Sequence, residues 1–474
     1  MSSAPLILSS TIGGQQVSGS GGNPYVSLNP TNPSDLIAEF ESASPAEVNR
    51  ASTAALEAFG AWSRLAAPSR AEALYKWAEA IQGRAEELAQ AIVREVGKPV
   101  GEARGEVGRC VAILRYYAGE AVRPTGDVIP ALVSGGVQYS VRVPLGVVGL
   151  ITPWNFPLAI PLWKAAPALA MGNCVVLKPA EESAWCAALL AETAEAAGLA
   201  GGVFNVVLGD GSTGAALLED ELVRAISFTG SAEVGAMVAQ ACARRNIKYQ
   251  TEMGGKNPGI VLKDANLTQA AALIAGGAMR FAGQKCTATS RVLVDRSVSG
   301  AFVDELRSAI EALPIGDPAN LTTAVGPVIT EESQQRIRTA VAEGEKLYAG
   351  KAPDDGFFAG PAVIGTYNDS ELSQKELFGP VLSFIEIDGL DEAISLANAT
   401  PFGLSASLFT RDLTSAMSYI HRIEAGMVRV NADTTGVDPH APFGGVKGSS
   451  SHSREQGPSA KEFYTEVRTV QINP

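Results

Sequence analysis

Cys286 sits in GQKCTATSR, residues 283 to 291, between a flexible Gly-Gln-Lys approach and a run of small polar residues. A cysteine that only fills a core sits more often in an apolar run, so this one reads as a reachable sulfur. In YQTEMGGKNP, Glu252 precedes two glycines that let the backbone turn tightly beside the carboxylate. That carboxylate is either a general base or a solvated surface group. In ITPWNFPL, Asn155 lies between Trp154 and Phe156, and its amide could bind a developing oxyanion or complete a turn. In VVLKPAEES, Lys178 and Glu181 follow a strand, where they could hold a ribose diol or form a surface salt bridge. Two strand-to-helix turns could face phosphate. One is the literal GxGxxG from Gly209 through Gly211 to Gly214, weak because glycine supplies 49 of 474 residues. The other is FTGSAEVG, where Ser231 can cap a helix whose free amides point outward.

These residues need elements to position them. Residues 45 to 118 read as helices, beginning with the capped SPAE of SPAEVNRASTAALEAFGAWSRL. From about 145, the short apolar runs VVGLIT, CVVLK, VFNVV and AISFTG alternate with helical patterns. That alternation predicts a parallel sheet built of βαβ units. It returns after residue 258, from GIVLKDA through RVLVD to MVRVNA, so two α/β domains are expected. GVQYSVRVP and the tail FYTEVRTVQINP alternate like exposed strands and would offer edges to another subunit.

Bulk composition excludes several classes. With 474 residues, two or three domains are expected. The charge balance of 37 − 50 = −13 argues against nucleic acid and anionic membranes as partners. The start of the chain shows no signal-peptide pattern, and four prolines interrupt the most apolar stretch, residues 144 to 163, so no membrane span is expected. Five scattered cysteines without CxxC fit a reducing, cytoplasmic setting, and with three histidines no metal site is expected.

Taken together, PWNFP, KPAE, FTGS, EMGGKNP, GQKC, ELFGPV and PFGGVK resemble the NAD(P)-dependent aldehyde dehydrogenase superfamily, in its order and over nearly the whole chain. The resemblance implies a Rossmann-like cofactor domain (1–122 and 145–253), an α/β catalytic domain (254–450) and a small β oligomerisation element (123–144 and 459–474). It implies Cys286 as nucleophile, Glu252 as base, Asn155 as oxyanion amide, and Lys164 with Glu455 as proton relay. Implied cofactor contacts run through Ile151, Thr152, Pro153 and Trp154, then Lys178, Pro179 and Glu181. They continue through Gly211, then Phe228, Thr229, Gly230, Ser231 and Val234, and end at Gly254, Glu376 and Phe378. In the family fold FTGS, rather than the turn at 209, meets the pyrophosphate. The implied chemistry is thiolate addition to an aldehyde, loss of hydride, and hydrolysis of the resulting thioester.

The implied substrate side holds Arg280, Phe156, Trp163, Lys285, Thr287 and Phe443. Arg280 matches an arginine that contacts the distal carboxylate in semialdehyde dehydrogenases. Trp163 stands where succinate-semialdehyde enzymes often carry a second arginine. The strings LRYYAGEAVRPTGDVIP, KYQTEMGGKNP, GQKCTATSR and SSSHSREQG are similar to those of bacterial 2-oxoglutarate-semialdehyde (2,5-dioxopentanoate) dehydrogenases. An aromatic or succinate-type aldehyde is the alternative substrate. Glu181 favours NAD, with NADP also possible, and a homodimer or homotetramer is expected. A non-catalytic scaffold would have lost Cys286, Glu252 or Asn155, and a plain thiol esterase would not need FTGS and ELFGP.

Overall fold

The computed structural model describes residues 4–474. After five strands between Leu6 and Glu41 come four helices: α1 Pro45–Trp62, α2 Ala67–Gly83, α3 Ala85–Val96 and α4 Val100–Ala121. A capping box at Ser44 and Glu47 starts α1, with the Ser44 N–H donating to Glu47 at 2.7 Å. α3 stops at Gly97, whose left-handed φ of 67° a side chain would resist. α2 packs on α4, and Leu74, Trp77 and Ile81 of α2 and Ile113 and Leu114 of α4 are all buried.

The first seven-stranded sheet orders Lys248–Glu252, Val223–Thr229, Val147–Ile151, Cys174–Lys178, Phe204–Val206, Ser10–Ile12 and Gln15–Val17. The five strands from Lys248–Glu252 to Phe204–Val206 are parallel, as the alternating pattern predicts. VVGLI and CVVLK are almost wholly buried, because helices cover both faces of a parallel sheet. Those helices include α5 Ala159–Ala170, α6 Ala184–Ala196, α7 Gly211–Glu219 and α8 Ala232–Arg245. Register aligns the strand ends: Glu252 pairs with Thr229, Phe228 with Ile151, and Ile151 with Lys178. Residues picked out from separate motifs therefore lie in one row along the carboxyl edge of the sheet.

A second seven-stranded sheet is centred on Asn257–Val261 and Thr289–Asp295, with α9 Leu267–Met279 and a short 3-10 turn leading to Cys286. Its strands Thr289–Asp295, Asn257–Val261, Ser405–Phe409 and Met427–Val430 are also parallel. A third, three-stranded sheet pairs Thr465–Ile472 antiparallel with Val137–Pro144 along their whole length, with Val128–Ile129 beside them. Its Val467 is 59% exposed and Val137 51% exposed. Among the described residues no helix is long and apolar enough to cross a membrane, and no group of His, Cys, Asp and Glu is placed to hold a metal.

Candidate active site

Between the carboxyl edge of the first sheet and the second lies a cleft of about 340 Å³. Pro153, Trp154, Asn155, Thr229, Gly230, Ser231, Gly254, Cys286, Glu376 and Phe378 line it, joined by Glu182, Met253, Ile329, Thr330, Ser333 and Arg336. Motifs dispersed from Pro153 to Phe378 thus converge on one space.

Cys286 is the one cysteine of the five that is not fully buried. Its loop is clamped from below: the Asn257 side chain donates to the carbonyls of Cys286 and Ala288, each at 2.8 Å. Desolvation in the cleft, then repulsion from Glu376 and Glu252, pushes its thiol up to about 12, while the Thr287 N–H pulls it down. Asn155 is buried and donates to the Gln284 carbonyl at 2.9 Å. An amide nitrogen has two hydrogens, so one remains for an oxyanion. Gln284 is itself fixed, bonding Pro327 at 3.1 Å and accepting from the Ile329 N–H at 2.9 Å.

Glu252 ends its strand buried, with one carboxylate oxygen accepting from Ser450 at 2.5 Å and the other without a partner among the described residues. Burial, and then the neighbouring Glu455, push its carboxyl well above the usual carboxylate range. Ser450, Lys164 and Arg454 pull the other way. Gly444 of PFGGVK, at φ 146°, passes so close that an added Cβ would lie 2.9 Å from the free Glu252 oxygen. Behind Glu252, Lys164 and Glu455 form a fully buried ion pair, and the Lys164 ammonium also donates to Ser227 at 2.8 Å. Ser227 reaches Gln250 at 3.3 Å, and Gln250 reaches the half-buried Ser453 at 2.9 Å.

At the other end, Glu376 accepts from the Gly255 N–H at 3.1 Å, and burial raises its carboxyl to about 7. An added Cβ on Gly254 would lie 2.1 Å from the Glu376 carboxylate, so any larger residue there would displace that carboxylate. Phe378, at φ 54°, sets its ring edge-on to Trp154, with centroids 5.7 Å apart. Ser231 caps α8, accepting from the Val234 N–H at 3.3 Å, and itself lines the cleft.

Other sequence-selected residues lie beyond the lining. Ile151, Thr152 and Phe228 stand behind it in the sheet, and Val234 is exposed on α8. Lys178 pairs with Glu181 at 3.0 Å, next to Pro179 on one side and to the cleft residue Glu182 on the other. Gly211 is the exposed first residue of α7, away from the cleft. The Asp210 carboxylate already caps α7, accepting from Ser212 N–H at 2.9 Å, so the literal GxGxxG offers a phosphate a negative charge. Of the residues expected to face substrate, Trp163 packs on Phe443 with centroids 5.6 Å apart, and the Lys98 ammonium lies 3.8 Å from the Phe156 ring. Lys285 pairs with Glu102 at 2.7 Å, and Thr287 is buried. Arg280 is exposed and has no ion-pair partner among the described residues.

Sequence reasoning missed Glu182, Ser450, Asn257, Lys98 and Glu106. Ser450 belongs to a serine run with no periodicity, and Lys98 and Glu106 resemble any helix-flanking charges until their burial is seen.

Residues 17–470 match the profile of the aldehyde dehydrogenase family. Alpha-ketoglutaric semialdehyde dehydrogenase of Bacillus subtilis (strain 168) is 44% identical over 98% of this chain and 97% of its own. Alpha-ketoglutarate semialdehyde dehydrogenase of Haloferax volcanii is 39% identical, covering 97% of this chain and 98% of its own. The crystal structure of an NAD-dependent aldehyde dehydrogenase from Sinorhizobium meliloti superposes with a TM-score of 0.95 at 36% identity, covering 99% of this chain and 95% of that one.

Proposed function

Because this chain belongs to the aldehyde dehydrogenase family, we propose that it oxidises 2-oxoglutarate semialdehyde to 2-oxoglutarate, with Cys286 as nucleophile and NAD as the hydride acceptor. The observation that carries the chemistry is the single cleft shared by Cys286, Asn155 and Glu376, with Glu252 next in the chain to the lining residues Met253 and Gly254 and near enough to Cys286 to raise its thiol. The similarity to relatives bearing that activity in their names supports the substrate.

The Cys286 sulfur adds to the aldehyde carbon, and its proton passes to Glu252, whose raised pKa makes it a ready acceptor. Carbonyl π electrons move to oxygen, where the free N–H of Asn155 and the Cys286 backbone N–H hold the charge. Loss of hydride from the tetrahedral adduct leaves a thioester on Cys286. A dinucleotide bound in the cleft supplies the acceptor for that hydride: Ser231 and the turn before it would face its phosphates, and Glu376 and Phe378 its nicotinamide end. Glu252 must then shed its first proton before it can activate water. The buried Lys164–Glu455 pair gives that proton a way out. Water attacks the thioester carbon, loses its proton to Glu252, and the C–S bond breaks to give carboxylate and thiol.

Glu181 would accept hydrogen bonds from ribose hydroxyls and repel a 2′-phosphate, which favours NAD over NADP. Of the cations flanking Cys286, Lys285 is neutralised by Glu102 and Arg280 is not, so Arg280 is the candidate receptor for the distal carboxylate. The exposed third sheet supports subunit pairing through Thr465–Ile472 and its neighbour. The test is reduced-nicotinamide formation with NAD and NADP across 2-oxoglutarate, succinate and glutarate semialdehydes, benzaldehyde and hexanal. The first with NAD should give the highest kcat/KM. Arg280→Ala should raise KM for acidic semialdehydes much more than for hexanal, and equal losses would remove Arg280 from substrate recognition. A benzaldehyde preference would instead move specificity to the Trp163–Phe443 stack.

A further inference from the structure

Beneath the two loops that carry Asn155 and Cys286 runs helix α4, and two of its carboxylates, Glu102 and Glu106, stand one turn apart on the same face. Glu106 is buried, and one of its oxygens accepts from the backbone N–H groups of Leu158 and Ala159, each at 3.0 Å. Its other oxygen holds the Lys98 ammonium in an ion pair with no solvent exposure on the lysine. Lys98 in turn donates to the Asn155 carbonyl at 2.6 Å and sits over the rings of Phe156, at 3.8 Å, and Phe281, at 4.6 Å. Lys98 and Glu106 therefore grip the loop from 155 to 159 at both of its ends. One turn earlier, Glu102 holds Lys285, the residue bonded to Cys286, at 2.7 Å. The two loops meet where the Asn155 side chain donates to the Gln284 carbonyl.

A buried ion pair is a poor device for stability alone, since well-packed apolar side chains of the same volume often do as well or better. Apolar side chains could not donate to the Asn155 carbonyl or accept from two N–H groups at the start of α5. None of these four charged side chains lines the cleft that holds Cys286, Asn155 and Glu376. We propose that Lys98, Glu106 and Glu102, with Lys285, form a frame on α4 that sets the position of the Asn155 amide relative to the Cys286 sulfur. They are positioning residues, and the proposal rests on the oxyanion and nucleophile roles assigned above. Lys98 and Glu106 fix the amide; Glu102 and Lys285 fix the sulfur.

The two arms of the frame predict different losses, which a merely structural role would not. Glu106→Gln and Lys98→Met should lower kcat about 100-fold, the cost of a misplacement near 1 Å. The deuterium isotope effect on kcat with a C1-deuterated aldehyde should rise, because hydride loss from a poorly held oxyanion becomes limiting. NAD affinity and the rate of Cys286 alkylation by iodoacetamide should not change. Glu102→Gln, at the partly exposed arm, should instead alter the alkylation rate while leaving NAD affinity and the melting temperature unchanged. If Glu106→Gln and Lys98→Met fail to fold, Glu102→Gln decides, and an unchanged alkylation rate overturns the frame. Folded Glu106→Gln with wild-type kcat overturns it, as do parallel losses of kcat, NAD binding and alkylation. Asn155→Ala separates the two levels: if it retains activity the oxyanion assignment fails, and if it is inactive while Glu106→Gln is not, only the frame fails.

Discussion

Ser450→Ala tests the base directly. The Ser450 hydroxyl donates to Glu252 at 2.5 Å and is the foremost influence holding that carboxyl down against burial and Glu455. A hydrogen bond to a charged group contributes about 1.5–3 kcal/mol. At 1.36 kcal/mol for each pKa unit, its loss should raise the Glu252 pKa by about 1 to 2 units. Glu252 works as a base when ionised, so activity is present above its folded pKa and lost as pH falls through it. Removing the hydroxyl should therefore move the acidic limb of kcat to higher pH by about that amount when thioester hydrolysis is limiting. The assay is kcat against pH for wild type, Ser450→Ala and Ser450→Thr, with pre-steady-state bursts of reduced nicotinamide to show that deacylation is the slow step. Ser450 also accepts from the Gly445 N–H at 2.6 Å, so the threonine variant is the control that keeps both bonds. A limb that stays put, or moves to lower pH, in a variant with a wild-type burst would refute the assignment of Glu252 as the base tuned by Ser450.

The raised carboxyl also implies a stability cost. Folded Glu252 binds its proton more tightly than the unfolded chain does, so the penalty is absent below the unfolded pKa near 4.3 and grows as pH rises through the folded value. Glu252→Gln should therefore melt higher than wild type at pH 8 and no higher at pH 4, read by differential scanning calorimetry. The thiol prediction concerns the enzyme without dinucleotide. With Cys286 near 12, its alkylation by iodoacetamide should keep rising with pH through pH 10 without a plateau. Mass spectrometry should find Cys286 labelled first, because Cys110, Cys174, Cys186 and Cys242 are buried and Cys286 alone of the five is partly accessible.

Local patterns announced much of this architecture. VVGLI and CVVLK are apolar throughout because both faces of their sheet are covered, and their turns carry PWNFP and KPAE because parallel strands end on a common edge. The same logic misleads at Gly209–Gly214, where the glycine spacing is right but Asp210 caps the helix with its own carboxylate. What stayed hidden depends on distant pairing. Ser450 meets Glu252 across 198 positions, and Lys98 meets Asn155 across 57. No periodicity within a segment encodes such a meeting, so a buried lysine such as Lys98 looks like a solvated one until the helix beside it is in place.

The Lys164–Glu455 pair also bears on the order in which the chain can mature during synthesis. Every strand of the sheet that buries Lys164 is complete by residue 252, yet the carboxylate that neutralises its ammonium is made 291 positions after it. The same late segment supplies Ser450 to Glu252 and the Tyr464 carbonyl to Asn173. Until those residues leave the ribosome, the first half of the protein would bury a cation without its counter-charge, a costly state. The nascent chain is therefore expected to remain loosely packed around α5, and reactivity at Cys286 to switch on only as the last few dozen residues dock.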